Sequence, residues 1–301
     1  MKGKIKHLIR FDWAMKRLLR NKANFGILEG FLSELLQSDI VIVEILDAES
    51  NKETENDKYN RVDILVKDSK GELIIIEVQN DREYDYFQRM LYGVSKAISE
   101  HIEEGSAYAK VKKVIAVNIV YFNLGQGEDY VYYGETIFKG THKNDTLNLS
   151  KRQKDTFKVE LVKDIFPEYY IIKVNNFDDN AQNTLDEWIY FFKNSAIKSN
   201  FSAKGIKEAS EKLDIMKLPE KDQAAYKQYV ANLRNEASKA FTLRIDTEYL
   251  LNESINEAKK EIIIELWKLN LSIQNIAIAT KYSESQIEQI VEDYQKNTPS
   301  G

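Results

Sequence analysis

The chain has 301 residues, and its 43 Lys and Arg residues nearly balance 48 Asp and Glu residues, for a formal net charge of -5 at pH 7. This composition is typical of a soluble globular protein with one large domain or two modest ones. The longest nearly apolar stretch, Val114 to Phe122, is far shorter than the roughly 18 to 20 residues of a membrane helix. The first 22 residues lack the apolar core of a secretory signal. We therefore expect no membrane span and a cytoplasmic location.

The absence of cysteine excludes disulfides, a cysteine nucleophile and a thiolate zinc site. The three histidines, His7, His101 and His142, are too scattered to indicate a cluster. Any metal chemistry must therefore depend mainly on carboxylate and carbonyl oxygens, which suit Mg²⁺ or Mn²⁺.

Hydrophobic periodicity predicts the elements of the first part of the chain. Residues 10 to 37 have the spacing of a helix with a break near Asn21 to Asn24, and the polar run from Asp47 to Asn60 is typical of a loop. The remaining predictions are strands at Ile40 to Leu46, Arg61 to Val66 and Glu72 to Val78, a helix at Tyr84 to Glu104, and a strand at Lys113 to Phe122. This α-β-β-β-α-β order predicts an α/β protein with a mixed sheet flanked by helices.

The second part of the chain differs from the first. Strands are predicted at Tyr130 to Phe138, Phe157 to Val162 and Ile171 to Val174. From Leu185 onward the pattern is helical almost throughout, with breaks near Pro219 and Leu271. We expect a sheet domain over residues 1–178 and a helical C-terminal region over residues 179–301.

The predicted hairpin places two carboxylates together. If Ser69 to Gly71 forms a three-residue loop with Gly71 in the left-handed conformation, the register puts Asp63 opposite Glu77. Side chains alternate along a strand, so Gln79 lies on the same face as Glu77. Facing carboxylates about 5 Å apart at Cβ repel each other, and a divalent cation would relieve that repulsion.

Such a pair suits metal-assisted hydrolysis of phosphodiester bonds. Carboxylates that hold Mg²⁺ or Mn²⁺ allow the ion to activate water and to stabilise charge on the phosphate and the leaving oxygen. Gln79 could orient the water or donate to the phosphate, although a neutral amide is not a base near pH 7. The alternative is purely structural, with Asp63 ending a surface strand and Glu77 paired with a nearby Lys or Arg.

The chain around these residues resembles a known family. Asp63 followed by Glu77-Val78-Gln79 resembles the Asp…Glu-x-Gln variant of the PD-(D/E)xK nuclease motif. Roughly residues 10 to 170 resemble the recombination-promoting nuclease (Rpn) family, also called PD-(D/E)xK nuclease family transposases. The other residues that carry the resemblance are Asp12 to Leu19, Phe87 to Tyr92, Gly105 with Tyr108, and Phe157 to Lys163.

This resemblance implies a restriction-endonuclease-like fold and a metal-dependent DNA endonuclease. Asp63 and Glu77 would be the metal ligands, Gln79 would occupy the position of the motif's Lys, and DNA would be the partner. Val62 stands where the motif has Pro, and Gln79 removes a positive charge. A rival hypothesis is therefore a nuclease-fold module of weak or no catalytic activity that binds DNA or a protein.

Several residues are candidates for binding DNA. Residues 1 to 37 hold eight Lys and Arg against three acidic residues, and such a patch attracts phosphates or is simply a solvated basic face. The candidates are Lys16, Arg17 and Arg20 in that segment, and Gln88 and Arg89 after the Gln79 strand. Arg89 could reach a phosphate with two hydrogen bonds or pair with Glu77 or Asp85.

Two further features concern a third metal ligand and the C-terminus. A third metal ligand could come from Glu29 or Glu34 on the first helix, or from Glu44 on the next strand. At the C-terminus, Leu271 to Tyr294 has the pattern of two short helices with Ser272 and Ser283 as N-caps. Their acidic balance disfavours entry into a DNA groove, so we predict a packing element or a homodimer contact there.

Overall fold

The computed structural model of the protein describes residues 6–46, 63–102 and 107–297. The predicted loop from Asp47 to Asn60 and the predicted strand start at Arg61 lie outside the described residues. The chain divides into two compact units, Met1–Tyr226 and Lys227–Gly301. The domain boundary placed after residue 178 stays a prediction.

A six-stranded mixed sheet forms the centre of the first unit. Its strands are β2 (Ile42–Ile45), β3 (Ile64–Asp68), β4 (Leu73–Gln79), β5 (Val114–Val120), β6 (Val131–Gly134) and β7 (Glu168–Lys173). Their order in the sheet is β2-β3-β4-β5-β7-β6, with parallel pairing between β4, β5 and β7 and antiparallel pairing elsewhere. Strands β4 and β5 are buried on both faces because their sequences are continuous apolar runs.

Helices flank this sheet. They are α1 (Phe11–Arg17), α2 (Phe25–Leu36), α3 (Tyr86–Glu100), α4 (Lys151–Phe157), α5 (Thr184–Asn194) and α6 (Ile206–Lys212). Helix α3 packs on one face, where Val94 and Ala97 contact Leu65, Ile75 and Ala116. Helices α1, α2 and α5 pack together through rings that include Phe11, Phe31, Trp188 and Phe192.

The predicted α-β-β-β-α-β order is confirmed through β5. The break that was predicted near Asn21 to Asn24 is a 3-10 turn at Lys22–Asn24. Two short strands that were not predicted, β1 (Lys6–His7) and β8 (Ala196–Ile197), form a separate antiparallel pair.

The predicted strand from Phe157 to Val162 is wrong. Helix α4 occupies Lys151–Phe157, and Lys158 ends it in the left-handed conformation with φ 57°. Ser150 and Gln153 form a capping box that starts this helix: the side chain of each accepts a hydrogen bond from the backbone N–H of the other. The alternating Phe157, Val159 and Leu161 imitate a strand, but no sheet partner reaches them among the described residues.

The breaks predicted near Pro219 and Leu271 are confirmed, whereas the interruption between α5 and α6 was not predicted. Helix α7 (Glu220–Lys268) begins directly after Pro219 and spans both units, and α8 (Ile273–Thr280) and α9 (Glu284–Asn297) follow the break near Leu271. The Ser272 hydroxyl accepts a hydrogen bond from the Asn275 N–H, and the Ser283 hydroxyl accepts one from the Gln286 N–H. Both predicted N-caps are therefore confirmed. Within the described ranges, no helix combines the length and hydrophobicity that spanning a bilayer requires.

Candidate functional site

The hairpin between β3 and β4 sets the geometry of the candidate site. Gly71 has φ +80°, and its N–H donates to the Asp68 carbonyl to close the three-residue loop. Ile64 lies opposite Ile76, so the next pair in the same register is Asp63 and Glu77. Their side chains share the face of the sheet that α3 covers, because Leu65 and Ile75 on that face contact α3.

Asp63 is held by the backbone of the facing strand. The Val78 N–H donates to Asp63 Oδ2 at 2.8 Å, and Oδ1 accepts no hydrogen bond from the described residues. The Arg20 Nη2 donates to the Asp63 carbonyl oxygen at 2.6 Å. The carboxylate is therefore oriented through one oxygen, and the other is available to a ligand.

Glu77 is nearly buried and lies beside a guanidinium. Its side chain is 11% exposed, and its Oε2 lies 3.4 Å from Arg89 Nη2. Arg89 Nη1 also donates to both carboxylate oxygens of Glu83, at 2.8 and 3.1 Å. Burial lowers the pKa of Arg89, but Glu77 and Glu83 outweigh burial and hold that pKa above its ordinary value. Arg89 therefore stays charged and offsets part of the negative charge of the site.

Gln79 joins the same network. Its Nε2 donates to Glu83 Oε1 at 2.7 Å and to the Asp81 carbonyl at 3.3 Å. The amide of Gln79 is thereby held by the loop that follows β4. Sequence analysis did not single out Glu83, because it follows Gln79 in a loop and has no regular spacing from Arg89.

A small cavity adjoins Glu77 on the α3 side. Its volume is about 10 Å³, and Ile75, Met90, Gly93 and Ala116 contribute its apolar lining. That volume is about the size of one water. The polar lining residues are Glu77, Tyr86, Arg89 and Asn118.

Tyr86 and Asn118 form the floor of that cavity. The buried Tyr86 hydroxyl donates to Asn118 Oδ1 at 3.3 Å, and Asn118 pairs with Glu77 in the parallel register of β4 and β5. Burial, reinforced by the charge of Glu77, raises the pKa of Tyr86 well above its ordinary value, so the hydroxyl stays protonated. Asn118 was visible in the sequence as the single polar interruption of the Val114 to Phe122 run, a signal that sequence analysis did not use for the site.

The end of β4 is also tied to α1. Asn80 Nδ2 donates to Asp12 Oδ2 at 2.8 Å, and Arg10 Nη2 donates to Asn80 Oδ1 at 3.0 Å. Arg10 also pairs with Asp12 at 3.1 Å, and Asp12 is only 1% exposed. This network fixes the chain immediately after Gln79, so it supports the position of Glu77 and Gln79.

The DNA-binding candidates separate into two groups. Arg20 and Arg89 lie at the site, through their contacts with the Asp63 carbonyl and with Glu77. The Arg17 guanidinium lies over the Trp13 ring at 5.8 Å, and Gln88 is exposed on α3. Lys16 belongs to α1, but its side chain lies outside the described part of the structure.

The candidate third ligands have other contacts or lie exposed. Glu29 accepts a hydrogen bond from the Ile42 N–H at 2.8 Å, and Glu34 accepts from the Lys204 N–H at 2.9 Å. Glu44 is exposed on β2. Over residues 6–46, 63–102 and 107–297, no group of three or more acidic or histidine side chains is placed to hold a metal.

The donor set of the site still fits Mg²⁺ or Mn²⁺. Mg²⁺ is commonly held by one or two carboxylates, with waters and substrate phosphate oxygens completing its coordination. Asp63 and Glu77 offer two such carboxylates on one face. They do not offer the larger set of protein oxygens that a dedicated Ca²⁺ site uses.

A comparison with known families decides the classification. The model of the PD-(D/E)XK nuclease family transposases matches residues 9–240. The chain belongs to this family. Its mixed sheet with flanking helices and helical C-terminal region agrees with the restriction-endonuclease-like fold of PD-(D/E)xK proteins, and membership implies a function of the nuclease or transposase type. No curated protein and no solved structure matches the chain significantly.

Proposed function

We propose that the protein is a Mg²⁺- or Mn²⁺-dependent endonuclease that hydrolyses phosphodiester bonds in DNA, of the recombination-promoting type. The observation that carries this proposal is the β3–β4 register, in which Ile64 lies opposite Ile76 and the next pair is Asp63 and Glu77. Family membership supports it, and the sequence resemblance implies that these two residues are the acidic residues of the PD-(D/E)xK motif. The cytoplasmic location stays a prediction.

In this proposal Asp63 and Glu77 hold the metal. When bound, the ion lowers the pKa of the attacking water and stabilises charge on the phosphate and the leaving oxygen. The Val78 N–H orients the Asp63 carboxylate, and Arg89 steadies Glu77. Gln79 contributes orientation rather than charge, because its amide is neutral and is held by Glu83.

DNA would approach from the side of Arg20. This side chain is exposed and lies against the Asp63 backbone, so its guanidinium is near the scissile position. Guanidinium groups bind phosphate oxygens bidentately and add a salt-dependent attraction. Arg17, Lys16 and Gln88 are proposed only as peripheral contacts, since none of them is shown near the carboxylates.

A second candidate function is a nuclease-fold module that binds DNA without cleaving it. One observation favours it: Gln79 supplies no positive charge at the site, and the nearby Arg89 is already shared between Glu77 and Glu83. Such a module would bind DNA in a salt-sensitive manner, independently of divalent metal.

Plasmid cleavage separates the two functions. We expect purified wild-type protein to nick or linearise plasmid with Mg²⁺ or Mn²⁺ but not with EDTA. Asp63→Asn and Glu77→Gln should each lower the rate by about 100-fold or more, as when a group that stabilises transition-state charge is removed. Asp81→Asn, which alters an exposed carboxyl two residues beyond Gln79, is the matched control and should cleave like wild type. Equal cleavage by all four proteins would overturn the assignment, and binding without cleavage would favour the second candidate.

We also propose that the helical C-terminal region forms a homodimer. The support is a stripe of exposed apolar side chains on α7. Its members are Phe241, Ile245, Leu251, Ile255 and Ile262.

A further inference from the structure

A groove lies at the opposite end of the sheet from Asp63 and Glu77. Its lining includes Gly71 and Glu72, which precede β4, and Lys112 and Lys113, which precede β5. Glu72 precedes Glu77 by five residues along the strand, which separates the groove from the carboxylates by roughly 16 Å at 3.3 Å per residue. Its volume is about 590 Å³, within the range of about 300 to 1,000 Å³ of small-ligand sites.

Positive charge predominates in this groove. Four lysines line it against Glu72 and Asp164: Lys70, Lys112, Lys113 and Lys158. Lys113 pairs with Glu168 at 2.8 Å. The other three ammonium groups form no ion pair within the described ranges. The four lysines outnumber the two acidic residues of the lining, so the groove presents a net positive charge to an anionic ligand.

Aromatic surface lies among these lysines. Tyr108 is 91% exposed and Phe157 is 45% exposed, and both side chains line the groove. They belong to two of the sequence segments that carry the family resemblance, and the candidate catalytic site uses neither. Ile165, also exposed, extends the apolar part of the lining.

We propose that this groove binds a short single-stranded segment of nucleic acid. Lys70, Lys112 and Lys158 would contact its phosphates, while Tyr108 and Phe157 would stack on its bases. Lysines interleaved with exposed aromatic rings are the features that bind unpaired strands without sequence preference. A duplex could contact the lysines with its phosphates but not the aromatic rings with its bases, because those bases are already stacked inside the helix.

The inference rests on the proposed function in taking DNA as the ligand. The groove would be a second, non-catalytic binding site for the same DNA, at the far end of the sheet. A cleaved or unwound strand could occupy it while the duplex is held near Arg20. Binding in the groove needs neither Asp63 nor Glu77.

Fluorescence anisotropy with the full chain in EDTA tests the proposal. The probes are a labelled oligo-dT strand and a duplex of equal length. We expect the single strand to bind more tightly, and Tyr108→Ala to raise its dissociation constant by about 5- to 150-fold, the effect of losing one stacked base. Tyr84→Ala is the matched control, since Tyr84 is 87% exposed and lies outside the groove.

Salt dependence tests the lysines. Lys112→Gln with Lys158→Gln should reduce the slope of log K against log salt by about 1.4, since each phosphate contact in a single strand contributes about 0.7. The inference is overturned if Tyr108→Ala binds oligo-dT like wild type, or if the duplex binds as tightly as the single strand and responds equally to the variants. Melting temperatures near that of wild type would show that the exposed substitutions leave the fold intact.

The groove proposal and the proposed nuclease function can be disproved independently of each other. Tyr108-dependent strand binding by a protein that never cleaves DNA would contradict the proposed function and support the groove proposal. Metal-dependent cleavage with strand binding that ignores Tyr108 would do the reverse.

Discussion

At the scale of single residues, Arg89 controls the charge of the candidate site. Its guanidinium contacts Glu77 at 3.4 Å and Glu83 at 2.8 Å. A cation this close to a metal ligand opposes the binding of a second cation, yet the same group can contact a phosphate bidentately. Arg89 therefore acts on metal binding and on substrate binding in opposite directions.

We predict that Arg89→Gln tightens metal binding and slows cleavage. Loss of the guanidinium removes the charge that competes with Mn²⁺ at Glu77, so the melting temperature should rise further at a given subsaturating Mn²⁺ concentration. Cleavage of plasmid should fall because the phosphate loses a cationic contact. A thermal-shift titration and a cleavage assay on the same preparation measure both effects.

Arg82→Gln is the control for Arg89. Arg82 lies over the Tyr84 ring at 4.6 Å, and its loss changes the net charge equally without contact to Glu77. If both variants gave the same Mn²⁺ response, the effect would come from overall charge and not from the contact with Glu77.

The sequence predicted the central pair of the site but not its surroundings. Gly71 and the hairpin length determine the β3–β4 register, so the facing position of Asp63 and Glu77 follows from local turn chemistry. Glu83 could not be predicted, because its contacts with Gln79 and Arg89 depend on the path of a loop. The bond from Arg20 to the Asp63 carbonyl depends on tertiary packing and has no sequence signal.

At the scale of secondary-structure elements, the start of β4 carries an unfavourable charge. Burial raises the pKa of Glu72, and Asp68 and Glu168 add to that effect, while Lys113 and Lys70 oppose it. A carboxyl group whose pKa is higher in the folded state is better protonated in that state, so its contribution to stability falls as pH rises through that pKa. Ionised Glu72 therefore destabilises the hairpin at neutral pH.

We predict that Glu72→Gln is at least as stable as wild type at pH 7. Its stability advantage should shrink as pH falls toward 4, where Glu72 is protonated in wild type and resembles the amide. Urea unfolding at several pH values measures the difference. Asp81→Asn controls for the loss of one exposed negative charge, and a Glu72→Gln variant that is clearly less stable than wild type at pH 7 would contradict the argument.

Elements were predictable where one signal dominates. The apolar runs of β4 and β5 and the Pro219 and Leu271 breaks gave the correct elements. The strand predicted at Phe157 to Val162 is wrong because the Ser150 capping box starts a helix locally. The alternating apolar residues there pair with no strand in the described part of the chain. The short β1–β8 pair depends on contacts nearly 200 residues apart along the chain, which periodicity does not detect.

At the scale of the whole molecule, the exposed surface of α7 bears on oligomeric state. Phe241, Ile245, Leu251, Ile255 and Ile262 are all exposed, and at 3.6 residues per turn they fall within an arc of about 120°. Apolar side chains that recur on one side of a helix are normally covered by another element. Helices α8 and α9 pack against the C-terminal part of α7, around Ile263.

We predict that the protein is a dimer that associates through this stripe. Leu251→Glu with Ile255→Glu would place four carboxylates in the proposed interface, so sedimentation velocity at micromolar concentration should change from dimer to monomer. Leu243→Glu with Leu250→Glu is the matched control, because both residues are exposed on the opposite side of α7. A wild-type protein that stays monomeric at high concentration, or a control that dissociates equally, would mean that the stripe does not hold two copies together.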